Sequence, residues 1–250
     1  MKISIVTITY NSEATLEETI QSVISQDYPD LEYIIVDGLS TDGTLDIVNK
    51  YRDNISIVIS EKDKGISDAF NKGVRAATGD VVGIINSDDL LMPGALKAIA
   101  EQMKEDTDVI YGKGYRLYED GSTREYLPRD LKIFTYKMPL VHPATFVKKS
   151  AYEKYGYFNV DYRYCMDRAV LYKMYQGGAK FQYIDEFLAY YRMGGTSDNQ
   201  YWNGTLKEGE QISIDFGMNP LKAKLITVYK KLRYIAVLFV QKLRKLRKKR

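Results

Sequence analysis

Over about the first hundred residues, short runs of β-branched and apolar side chains alternate with segments whose apolar residues recur every three or four positions. The runs at 3–8, 32–36, 55–59 and 81–85 have the length and composition of buried strands. Between them, residues 12–26 repeat Leu16, Ile20, Val23 and Ile24 at helical spacing. Residues 42–51 repeat Leu45, Ile47 and Val48, and residues 65–77 repeat Ile66, Ala69, Phe70 and Val74. Pro93 stands at the first-turn position of a fourth helix over 93–103. Strand and helix in alternation predict an α/β fold, a mostly parallel, doubly wound sheet with helices on both faces.

The pattern weakens after Lys104. Residues 105–150 are rich in Tyr and Gly and carry short runs only at 109–111 and 144–147, which predicts an antiparallel edge with loops. A helix returns over 167–175 and stops at Gly177-Gly178, with strands expected at 181–184 and 188–192. There is no internal repeat. The division this suggests is residues 1–104 and 105–215 as two halves of one domain, followed by a tail at 216–250.

Composition narrows the picture. A chain of 250 residues that is 45% hydrophobic and 28% charged can bury a real core. A lone cysteine (Cys165) and a lone histidine (His142) exclude a disulfide framework, argue against a Cys/His zinc site and suit a reducing compartment. The opening MKISIVTITYNSE lacks a small-residue cleavage site and reads as a first strand, not a signal peptide. No apolar stretch approaches the ~20 residues that span a bilayer. The net charge of +3 hides an asymmetry: from Pro220 onward there are twelve of the 36 basic residues and none of the 33 acidic ones. That leaves 24 basic against 33 acidic, a net −9, over residues 1–219. A tail so basic on an acidic body predicts a polyanionic neighbour.

The acidic residues fall where an open α/β sheet binds its ligands, outside the carboxyl ends of the strands. The four expected ends read Thr9-Tyr10-Asn11, Asp37-Gly38, Glu61-Lys62-Asp63-Lys64 and Asn86-Ser87-Asp88-Asp89. Clustered carboxylates repel one another unless a cation or donor groups sit among them, and a hard divalent ion answers that need. Glycine-rich phosphate loops of the GxGxxG and GxxxxGK[ST] types are absent from these turns, so a diphosphate would be held through Mg²⁺ or Mn²⁺ bridging carboxylate and phosphate oxygens. Each motif alone has a plain reading: Asp88 or Asp89 as a turn cap, Asp37-Gly38 and Asp42-Gly43 as turn pairs, Asp63-Lys64-Gly65 as a solvated loop. Their coincidence on one sheet edge does not.

At these residues the chain resembles the family-2 glycosyltransferases of the GT-A fold. The resemblance is carried by VTITYN (6–11), IIVDGLSTDGT (34–44), SEKDKGISDAFNKG (60–73), ATGDVVGIINSDD (77–89), VHPATF (141–146), YCMD (164–167) and GGTS (194–197). It implies that Thr9, Tyr10 and Asn11 line a nucleotide pocket and that Asp37 accepts from the base, uracil in most relatives. Asp63, Asp68 and Asn71 would approach nucleotide or ribose. The element Asn86-Ser87-Asp88-Asp89 resembles the family's DxD motif, with Asp88 toward ribose or metal and Asp89 on the metal. Asn86 stands where many relatives have Asp, so one charge is missing.

The same resemblance implies that Asp167 is the general base of an inverting transfer, with Asp161 in reserve. A helix N-cap is the competing reading of Asp167. His142 is either a packed side chain or a contact to metal or diphosphate. The 194–197 segment either closes over the phosphates or is a plain loop, and Cys165 reads as inert packing.

The tail repeats Leu221, Leu225, Val228, Leu232, Ile235, Phe239 and Leu246 among Lys222, Lys224, Lys230, Lys231 and Arg233. An amphipathic basic helix on an anionic leaflet accounts for stripe and charge together, at ~1 kcal/mol per basic residue. No nucleic-acid-reading motif is present. Packing on the body or in a homodimer is the other way to cover the stripe.

These expectations sum to a metal-dependent transferase moving a sugar from a nucleotide diphosphate sugar, a UDP-sugar above all, to a hydroxyl of a glycan or lipid-linked glycan. Its place would be the cytoplasmic face of a bacterial membrane. In that scheme residues 1–104 bind the donor, 105–215 supply acceptor site and base, and 216–250 dock. A metal-dependent nucleotidyltransferase and a non-catalytic sugar-nucleotide or membrane-binding module are the rival classes.

Overall fold

The computed structural model describes residues 1–195 and 204–247. β-Branched side chains, which pack well on a pleated surface, build β1 (Ile3–Thr9), β2 (Leu31–Asp37), β3 (Ile57–Ser60) and β4 (Val81–Ile84). These pair in parallel in the order β3-β2-β1-β4, so the strand order reverses at β1. The helices α1 (Leu16–Ile24), α2 (Thr44–Lys50), α3 (Ile66–Ala76) and α4 (Ala95–Gln102) cover the sheet. Successive strand residues point to opposite faces. Ile3, Ile5, Tyr33 and Ile35 accordingly pack with Leu16, Ile20, Leu96 and Ile99, while Val6, Ile34 and Val36 pack with Ala69, Phe70 and Val74. Both faces are buried, as a parallel sheet requires.

Helix α1 begins at Leu16, the first of the spaced apolar residues and four residues after the start of the expected segment. The Ser12 carbonyl accepts the N–H groups of Thr15 and Leu16, while the Ser12 N–H is drawn sideways to Thr44 Oγ1 at 2.8 Å. Ser12 thus belongs to the loop that crosses the end of the sheet.

The second half adds β5 (Leu90–Leu91), β6 (Val109–Leu117), β7 (Thr123–Tyr126), β8 (Thr145–Lys148) and β9 (Phe181–Arg192). β8 runs antiparallel between β4 and β6, and the full order is β3-β2-β1-β4-β8-β6-β9-β5 with β7 on β6. The expected strands at 181–184 and 188–192 are one continuous strand. Asp185 and Glu186 break the apolar run but are exposed, and a register shift against β6 around Lys113 absorbs the irregularity. Helices α5 (Lys149–Tyr155) and α6 (Met166–Gln176) lie on the α3 face through Tyr152, Met166, Val170 and Met174. Two further helices follow, α7 (Leu206–Asp215) and α8 (Pro220–Arg247).

Candidate active site

The carboxyl ends of β1 to β4 form one wall. Asp37 ends β2 fully buried, and its carboxylate accepts from Leu39 N–H at 3.1 Å, Ser40 N–H at 3.2 Å, Ser40 Oγ at 2.5 Å and Ser60 Oγ at 2.7 Å. It organises the 38–40 turn and ties it to the end of β3. Asn11 answers from β1: its N–H donates to Ser40 Oγ at 2.9 Å and its Oδ1 accepts from Thr41 N–H at 2.8 Å. Asn11 and Leu39 both hold left-handed backbone, φ +50° and +64°. Such conformations cost on the order of 1 kcal/mol or more and persist where surroundings over-determine them, commonly at functional sites. Gly38 lets Asp63 and Tyr10 approach closely: a Cβ there would lie 2.6 Å from Asp63 Oδ2 and 3.4 Å from the Tyr10 ring. Tyr10 itself is 63% exposed. An exposed ring and the Asp63 carboxylate therefore meet at the glycine that follows the buried Asp37.

The remaining predicted donor-side residues divide. Asp63 Oδ1 accepts from Gly65 N–H at 2.8 Å and shapes its own loop. Asp68 is partly exposed, accepting from Lys64 N–H at 3.0 Å with Lys72 at 3.7 Å. Asn71 is buried and committed to the Phe158 backbone, donating to its carbonyl at 2.8 Å and accepting its N–H at 2.9 Å. With Ser67 Oγ donating to the Tyr162 carbonyl at 2.6 Å, it fastens α3 to the loop that leads into α6.

At the end of β4 the two adjacent carboxylates have separate surroundings. Asp89, expected on a metal, is 1% exposed, with Oδ1 accepting from Arg192 N–H at 3.0 Å and Oδ2 from the Asn86 amide at 3.1 Å. Burial, reinforced by the neighbouring Asp88 charge, pushes its pKa well above the usual carboxylate range. Asp88 is half-buried beside Gly195, where a Cβ would stand 3.5 Å from its Oδ2. Arg192 holds this turn from β9, donating from Nε to the Asp88 carbonyl at 2.9 Å and pairing with Glu18 at 2.6 Å. Ser87 Oγ meets Ser12 Oγ at 2.9 Å, closing β4 onto β1. Thr9 Oγ1 and Asn86 Oδ1 are the buried side-chain polar atoms without a hydrogen-bond partner among the described residues, and both lie at this junction. Native structures rarely leave such atoms unpaired, at ~1–3 kcal/mol each.

No three His, Cys, Asp or Glu side chains among the described residues gather into a metal cage. The donor set does suit a hard cation that takes one carboxylate from the protein and completes its shell with phosphate oxygens and water, as Mg²⁺ commonly does. Asp88 is the half-buried carboxylate of this turn, and the unpaired Asn86 Oδ1 belongs to the same turn.

Asp167 approaches from the other half. Helix α6 opens at Met166 with Cys165 at the cap position and no capping side chain, so Asp167 lies in the first turn and is not the N-cap. Its Oδ1 accepts from Arg168 N–H at 2.7 Å. The 3₁₀ turn His142–Ala144 packs against β9, β6, β4 and β5 and brings His142 within reach of the Asp167 charge. The His142 ring lies 5.7 Å from Phe70, and its burial lowers its pKa despite the attraction of the Asp167 charge, which keeps it neutral at pH 7. Thr196 and Ser197, expected to close over phosphates, lie outside the described residues.

Two residues that hold Asp167 in place escaped the sequence reading. Glu208 of α7 accepts the N–H groups of Arg163, Tyr164 and Cys165 at 2.5, 2.6 and 2.5 Å, capping the approach to α6 from another helix. Arg168 is buried, donating from Nε to the Phe134 carbonyl, from Nη1 to Gly209 and from Nη2 to Thr135 and Ser213 Oγ, each at 2.8 Å. Burial lowers its pKa, and it joins α6, α7 and the 131–135 turn in one cage. An arginine among the apolar positions of α6 is the only signal in the sequence.

The model of the family described as Glycosyl transferase family 2 matches residues 4–168. The PGL/p-HBAD biosynthesis glycosyltransferase of Mycobacterium tuberculosis is 32% identical over 170 residues, 66% of this chain and 66% of that protein. The chain spans about half the length of other curated relatives it matches. Among solved structures, Staphylococcus aureus TarS 1–349 in complex with UDP-GlcNAc superposes with a TM-score of 0.69 at 21% identity, over 91% of this chain and 70% of that one. The mannosyltransferase PcManGT from Pyrobaculum calidifontis, in complex with GDP-Man and Mn²⁺, gives 0.66 at 20% identity, over 92% and 68%. These likenesses bear out the GT-A type of fold.

Proposed function

Because the chain belongs to glycosyl transferase family 2, we propose that it is an inverting transferase carrying a sugar from a nucleoside diphosphate, uridine above all, to a hydroxyl of a glycan or lipid-linked glycan in bacterial surface polysaccharide synthesis. The observation that carries this is the division of the carboxylates. Asp63 and the exposed Tyr10 ring meet at Gly38 beside the buried Asp37, Asp88 is half-buried at the β1/β4 junction, and the charge of Asp167, from the other half of the chain, acts on a neutral His142. The uridine complex of TarS supports the choice of nucleotide.

In this reading Tyr10 stacks on the base and Asp63 accepts from the nucleoside, while Asp37, expected to accept from the base, is buried and committed to Leu39, Ser40 and Ser60 and so holds the turn that shapes the pocket; the 86–88 turn meets the diphosphate. Mn²⁺ or Mg²⁺ held by Asp88 and the diphosphate would offset the charge that grows on the leaving group. Asp89 then acts as the buried brace of that turn. Asp167 takes the proton of the acceptor hydroxyl as its oxygen bonds to the anomeric carbon. The bond from that carbon to the diphosphate breaks on the opposite face, inverting the configuration. His142, neutral, keeps positive charge away from the base.

The test is turnover of a panel of nucleotide sugars with lipid-linked acceptors, with and without Mn²⁺, reading the released nucleotide. Release of UDP that requires acceptor is the expected result. Pyrophosphate release would assign a nucleotidyltransferase, and metal-dependent UDP binding without any turnover would assign a binding module.

A further inference from the structure

Helix α8 meets the body with the face a soluble protein would turn to water. Ala223 and Thr227 are buried at 2% and 7% exposure, and Lys230 lies half-buried beside them, donating from Nζ to the Tyr136 carbonyl at 2.5 Å. The apolar residues point the other way: Leu221, Leu225, Val228, Leu232 and Ile235 are 74%, 69%, 45%, 62% and 53% exposed. At 3.6 residues per turn these five fall within roughly a quarter of the helix circumference. Lys224 and Lys231 flank that sector on one side, Lys222 and Arg233 on the other. Among the described residues, no helix is long and apolar enough to cross a membrane.

We propose that α8 docks the protein on an anionic lipid leaflet. It lies in the plane of the surface with Leu221, Leu225, Val228, Leu232 and Ile235 at the acyl boundary and Lys222, Lys224, Lys231 and Arg233 among the phosphates. An apolar stripe edged by cations on both sides is the arrangement that such a surface recognises.

Charge selects this occupant over a second copy of the chain. The segment from Pro220 has twelve basic residues and no acidic one, so two such helices face to face would repel. The body carries a net −9 over residues 1–219, so an anionic leaflet favours approach through this helix, which sets the orientation. The positive face also continues inward. Burial, then Arg129, Arg233 and Arg116, lower the pKa of Lys137, which places these cations together beside the 131–135 turn gripped by Arg168. Docking thus turns the α6 side of the molecule toward the lipid, the side from which a membrane-held acceptor would arrive.

The experiment is flotation of the full chain with vesicles of phosphatidylcholine alone and of phosphatidylcholine mixed with phosphatidylglycerol. Wild type should float with the anionic vesicles only, release at high salt, and lose affinity on the order of tenfold or more in Leu225→Glu/Leu232→Glu, whose side chains are exposed. UDP binding by the same variant, a property of the body, should be unchanged, so a loss of docking is separable from a fault in the nucleotide site. Wild type that stays in the aqueous phase, or floats equally with the double variant, would overturn the proposal. So would a concentration-dependent dimer by light scattering that the double variant abolishes, since the stripe would then belong to a second copy.

Discussion

The two carboxylate stations of this molecule are built in opposite ways. On the proposed nucleotide side, Asp37 and Asp63 are placed by being at or just beyond strand ends, and their supports come from the same turn or the next strand. Asp167 hangs on a helix whose approach is capped by Glu208 and whose next residue, Arg168, is locked to the Phe134, Thr135 and Gly209 carbonyls. The first station is a property of sheet topology. The second is a property of long-range packing, and packing can be loosened without dismantling the sheet.

Substitution should separate them. Asp167→Asn, in the proposed mechanism, lowers turnover by about a thousandfold while leaving UDP affinity unchanged; a steady-state rate beside a binding titration checks it, and an active variant would remove Asp167 as the base. Asp88→Ala should act on the other station, weakening Mn²⁺-dependent UDP binding by roughly ten- to a hundredfold, or about 1.5–3 kcal/mol, in calorimetric titration. Asp89→Ala would instead lower thermal stability, because it strands the Arg192 and Asn86 donors; metal dependence lost with a normal melting temperature would reverse the roles assigned to the pair.

The first half of the chain also has an anchor of its own at the amino end of the sheet. Burial alone would raise the pKa of Glu32, but hydrogen bonds from Lys2, Ser4 and Thr78 outweigh it and hold the carboxyl at about 2. A depressed carboxyl contributes stability above its unfolded range and loses it as the pH falls through the folded value. Glu32 should therefore stabilise the fold by on the order of 2 kcal/mol near neutrality, and that contribution should fade between about pH 4.5 and 2. Glu32→Gln should flatten the acid limb of a stability profile; an unchanged limb would show that other groups govern it.

The smallest effect expected is Glu208→Gln, which keeps an acceptor but removes the charge from three short hydrogen bonds. It should lower kcat by about tenfold with donor affinity intact, as for a residue that positions the base without touching substrate. A parallel fall in UDP binding would mean that the two stations are coupled after all.

What was legible in the sequence follows the same boundary. The apolar runs and helical spacings up to Gln102 determined the parallel, doubly wound sheet, because short-range periodicity decides which face each residue buries. Strand ends then located Thr9, Asp37 and the 86–89 turn on one edge, and the ordered motifs marked the family. Tertiary structure alone decided which of two adjacent aspartates is a buried brace, since that depends on Arg192 from a strand over a hundred residues away. It alone committed Asn71 to Phe158, moved the cap of α6 from Asp167 to Cys165 and recruited Glu208. A side chain's partners across the chain are set by packing that no local pattern encodes. The tail shows both sides at once: its spacing determined an amphipathic helix, but only its seat on the body decided that the apolar stripe faces outward.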